Sequence, residues 1–223
     1  MSRHIVTVFC LLAGFLPAAL LAQAGAAQSM NRVPLEGAGE LASTISDPAV
    51  GIDYKREAIF RLGELSRELR SRTDVPASNL YNPLLGVLQP QQTEGHFILR
   101  REACIALAKF STLDGSEVII EPLGRVLANS GEREEVRNAA AQALVRFQNH
   151  SAAAADQLIA ALNKELDRGP QPENINVVTA IVNALGTLQD RRGFVPLMRV
   201  IQSAFPNHTK GRAQAALEAI RWS

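Results

Sequence analysis

The chain has few aromatic residues, at 5% Phe, Trp and Tyr, and few residues that favour a pleated sheet. It has only two cysteines, Cys10 and Cys104, and Cys10 lies in an N-terminal segment set apart below, so no internal disulfide can form. Stability must come from packing. No glycine-rich phosphate loop occurs. His96, His150 and His208 stand far apart, without the short spacings of a metal site, and read as solvated loop residues. His150-Ser151 lacks the surroundings of a nucleophile elbow. No cofactor is implied. Net charge is also lacking. Removing residues 1–24 takes Arg3 and no acid, so 23 basic residues fall to 22, equal to the 22 acids. A neutral chain gives no support to nucleic acid or an anionic membrane as partner.

What the chain has is alanine, leucine and a repeated pattern. Five stretches share one order of apolar residues, starting at Ala58, Ala103, Ala140, Ile181 and Ala213. Their anchor leucines, Leu62, Leu107, Leu144, Leu185 and Leu217, are 45, 37, 41 and 32 residues apart. A period of this size marks stacked helical units. In the third copy Val136, Ala140, Ala143, Leu144 and Phe147 lay one apolar stripe along a helix. Ser130-Gly131-Glu132 reads as the turn and entry into it. Shorter fragments precede the strong helices, beginning at Pro83, Pro122, Gln157 and Pro196, with a weaker one at residues 40–45. Three open on proline, which a first helical turn tolerates. The expectation is an all-α solenoid of about five antiparallel helix pairs over residues 35–223. Small residues such as Gly63, Ala108 and Gly186 would let helices approach closely. Residues 72–82, 89–96 and 169–174 are expected as loops.

Residues 1–24 have the layout of a secretory signal peptide. Arg3 and His4 precede the apolar run 5–21, and Ala22-Gln23-Ala24 follows. At 17 residues with Gly14 and Pro17, the run is short for a membrane span. Cleavage is expected after Ala24 or Ala26, with residues 25–34 a flexible leader. The mature protein would then be periplasmic or secreted, with no stable membrane insertion.

These motifs resemble the HEAT repeat family, in particular its HEAT-like, PBS-lyase-type bacterial repeats. The likeness rests on the proline-leucine start of the first helix and on the basic-x-x-Ala-x-x-Ala-Leu run seen from Val136 to Leu144. The resemblance implies a superhelical scaffold or adaptor, so a non-catalytic protein-binding role is expected. The rival is an enzyme subunit like the bilin lyases of the same branch. Four basic residues, Lys55, Arg100, Arg137 and Lys210, each lie seven positions before an anchor leucine. They form either a row that grips an acidic partner protein or, as the resemblance implies, a set of ion pairs between adjacent repeats. Val178 breaks the row. Glu64 and Glu68 read as solvated charge pairs one turn apart, and Cys104 as a buried, inert thiol. Trp222, with Ile220, offers an apolar C-terminal end for a partner or for self-association.

Overall fold

A computed structural model describes residue 30 and residues 32–72, 74–89 and 96–220. Among these residues there are ten α-helices and no strand. They form five pairs: α1 (Ala38–Ser46) with α2 (Ile52–Leu65), α3 (Ser78–Val87) with α4 (His96–Leu107), α5 (Ile120–Ala128) with α6 (Glu134–Leu144), α7 (Ser151–Arg168) with α8 (Ile175–Leu188), and α9 (Phe194–Gln202) with α10 (Asn207–Ala219). The all-α solenoid expected from the period is what the chain forms. The candidate signal segment and Trp222 lie outside the described residues.

The anchor leucines explain the stacking. Leu62, Leu107, Leu144 and Leu185 are all buried, each on the second helix of its pair. The second helices α2, α4, α6, α8 and α10 pack one on the next in an unbroken row. The first helices form the other row, with α1 on α3, α5 on α7 and α7 on α9, while α3 and α5 barely touch. Apolar stripes on both rows close into one continuous core, and this core replaces the disulfides that the chain cannot make.

Close approach along the second row is set by two glycines. A Cβ on Gly63 would stand 3.0 Å from that of Ala106, and one on Gly186 would stand 2.9 Å from that of Ala216. These lock the spacing of α2 to α4 and of α8 to α10. Ala108 instead lies in a short 3-10 turn, Ala108–Phe110, after α4.

Two boundaries differ from expectation. Residues 78–82 were expected in a loop, with Pro83 opening a helix; α3 starts at Ser78 and Pro83 lies inside it. The proline gives up the bond to the carbonyl four residues back. In return the extra turn buries Leu80 and Tyr81, and the Tyr81 ring meets Phe110 edge-on at 6.1 Å. Pro122 and Pro196 do fall in first turns. The second difference is at the leader. Its last residues are tied to the array, because Arg61 Nε donates to the Val33 carbonyl at 2.8 Å and Met30 and Val33 pack against the core.

Candidate functional site

The four basic residues fall in equivalent places, and the structure treats them differently. Arg137 is only 2% exposed. Its Nε donates to the Leu127 carbonyl at 2.8 Å, an orphan acceptor in the last turn of α5, and its Nη2 donates to Glu165 Oε1 at 2.5 Å. Glu165 on α7 is fully buried and also accepts from Asn174 Nδ2 and from Arg168 Nη1. Burial opposes ionisation of Glu165, and the hydrogen bonds from Asn174 and Arg137 outweigh it, holding the carboxyl below its ordinary value. Arg100 grips Glu132 with two parallel bonds, Nε to Oε2 at 2.5 Å and Nη2 to Oε1 at 2.9 Å. Both arginines therefore join neighbouring repeats.

Lys55 and Lys210 behave otherwise. Lys55 is 9% exposed and makes no side-chain ion pair or hydrogen bond with any described residue. It lines a cleft of about 710 Å³ formed by α1, α2, α3 and α4. Lys210, half-buried in the first turn of α10, also has no such partner. The fourth place in the row, Val178, is buried apolar surface. The row thus does not act as a unit.

Other repeat joints use residues that the sequence left unassigned. Glu132, read as part of a helix entry, lies outside α6 and serves as Arg100's partner, while Glu134 and Glu135 supply the acids of that first turn. Glu64, read as a solvated helix charge, accepts from Lys109 of the next repeat at 2.7 Å. That bond, with the positive charge it brings, holds the Glu64 carboxyl below its ordinary value. Glu68 pairs with Arg61. Arg199 reaches Asn163 and Asp167, and Arg192 reaches Asp156, across the last joint. Cys104 is buried, and burial pushes its thiol well above the ordinary value, with Glu132 adding to the shift. His96 and His208 were expected in loops, but His96 opens α4 and His208 lies in the first turn of α10, while His150 ends a short 3-10 turn 3.8 Å from Glu117. Among the described residues, no three of His, Cys, Asp and Glu gather to hold a metal ion, and no helix is long and apolar enough to cross a membrane.

A different register position faces solvent. Two residues before each anchor stand Phe60, Ile105, Gln142, Asn183 and Ala215, all exposed. Phe60 is 49% and Ile105 45% exposed, unusual for side chains of this size. Lys109 Nζ lies 4.5 Å over the Phe60 ring. Farther along, Gln142 and Asn183 line a shallow groove of about 370 Å³ between α6 and α8 with Asn138, Asn176, Thr179 and Thr187. The exposed face of the second row is thus apolar over the first two repeats and lined by amides and hydroxyls over the third and fourth. This band went unread in the sequence, although counting two back from each anchor leucine would have found it.

The pairing scheme and the period describe one kind of repeat. The family model for the PBS lyase HEAT-like repeat matches residues 136–164, which covers most of α6 and the start and middle of α7. Those residues form a HEAT-like repeat. The matched stretch contains Arg137 and stops one residue short of Glu165, so this HEAT-like unit carries half of the deepest ion pair. No curated protein matches the sequence.

Proposed function

We propose that this HEAT-like protein is an exported, non-catalytic scaffold that binds another protein along the exposed face of its second helices. The observation that carries the reading is the register band Phe60, Ile105, Gln142 and Asn183, four exposed side chains on four successive second helices. A fold of stacked pairs gives such a band a fixed spacing at little ordering cost, which favours an extended partner segment. Phe60 and Ile105 would take apolar side chains. Gln142 and Asn183 carry both donors and acceptors, and suit a peptide backbone. The basic row contributes less to this surface, since Arg100 and Arg137 are spent on Glu132 and Glu165. Export is supported by the signal-like layout of residues 1–24, which makes the periplasm or the exterior the place of action.

The test is site-specific photocrosslinking in an envelope fraction. Probes at Ile105 and Asn183 should capture the same protein, while a probe at Glu121 on the first-helix row should not. Substituting Asn183→Arg and Ile105→Asp should weaken that capture without lowering the melting temperature. Equal capture from both rows would remove the reading. A second reading, an enzyme subunit of lyase type, rests on the name of the matched repeat. Visible absorbance from a chromophore bound to the purified protein would carry it.

A further inference from the structure

The cleft around Lys55 differs from the band just described in place and in chemistry. Its walls include Ile45, Val50, Ile52, Pro83, Val87 and Leu99. Among its described lining residues there is no Asp or Glu, and no Phe, Tyr or Trp. Into this mostly apolar setting the chain places Lys55, a residue nine-tenths buried and without a partner among the described residues, with Ser46 and His96 also on the walls. The same register position is neutralised in the next two repeats by Glu132 and Glu165. The corresponding space at the next joint, bounded by Leu88, Val126 and Glu132, measures about 260 Å³ against about 710 Å³ here. Among the described residues, the first joint therefore has the cation without a paired acid, and it has room for something that brings one.

The geometry points to a binding site for a free aliphatic monocarboxylic acid, its carboxylate on Lys55 Nζ and its tail along the apolar walls. Three features select this class. A volume of this size lies in the range of small-molecule pockets. The Lys55 ammonium balances the single negative charge of a carboxylate. The lack of Phe, Tyr and Trp among the described walls favours an aliphatic tail over an aromatic one.

Calorimetric titration of the purified protein with decanoate and decanol tests the site. Decanoate should bind one molecule per chain, at least about 10-fold more tightly than decanol. Lys55→Met should erase that preference and leave decanol unchanged. Val87→Trp, which fills the cleft, should weaken both, with circular dichroism showing that each variant is folded. Asn183→Arg should leave decanoate binding intact, so the site and the proposed protein-binding face succeed or fail separately. Undiminished decanoate binding in Lys55→Met, or none up to about 1 mM, would overturn the assignment. So would tighter binding of an apolar tripeptide acid than of decanoate, which would give the cleft to a peptide terminus. A dimer that Lys55→Met dissociates would give it to a second copy.

Discussion

The middle of this array and its N-terminal end solve one problem in opposite ways. At the joints around α4 to α8, a basic residue seven before the anchor meets an acid from the following repeat, and the space left beside the Arg100–Glu132 pair is about 260 Å³. At the joint between the first two pairs, the equivalent Lys55 meets no acid among the described residues and the space stays open. The same register position thus serves cohesion in one place and vacancy in another. A repeat fold can change the task of a position by changing one partner contributed by the next unit.

The largest test of that contrast is at Arg137. Arg137→Met takes from the fully buried Glu165 its buried cation, leaving Arg168 and Asn174 as partners, and should cost about 2–4 kcal/mol in thermal unfolding. A Glu165→Leu change added to it should recover much of the loss, since a buried pair replaced by apolar residues is close to neutral. If the double variant is no better than the single, the pair is not the source of the cohesion.

Acid sharpens the same point. Glu165 has its carboxyl held below the ordinary 4.5 in the folded protein. Its contribution is fully present above the ordinary value and is lost as pH falls through the lowered one. Glu165→Gln should cost about 1.5–3 kcal/mol near neutrality. It should also flatten the loss of stability at pH values below the ordinary carboxylate range, measured by urea titration. An unchanged acid slope would show that other carboxylates set it.

The smallest expected effect is at the open end. Lys55→Met removes a charge without a partner, and its stability should stay within about 1 kcal/mol of the parent or rise. A loss as large as that of Arg137→Met would mean that the two joints are alike after all.

These comparisons also show what the sequence could and could not convey. The anchor leucines announced the pairs, because burying one helical stripe requires a regular spacing that survives in any copy. Arg137 stood out by register, yet Glu165 did not: it is 28 residues away, and only the turn between α6 and α7 decides that it comes to face the guanidinium. Pro83 misled, since its usual preference for a first turn was overridden by the burial of Leu80 and Tyr81. Lys55 looked like Arg100 and Arg137 because the difference lies in the missing neighbour, and a missing neighbour leaves no mark on the residue itself. The exposed band was present in the letters, but its meaning required knowing which flank of the second helices remains uncovered.

The weak contact between α3 and α5 has a mechanical result. The row of second helices runs unbroken past that point, so it behaves as a binding while the opposite edge is left unstitched. A load that bends the rod finds least to separate there, and the two halves pivot about the seam between α4 and α6. If the proposed partner lies across four repeats, a change of angle there would leave both buried arginines fastened.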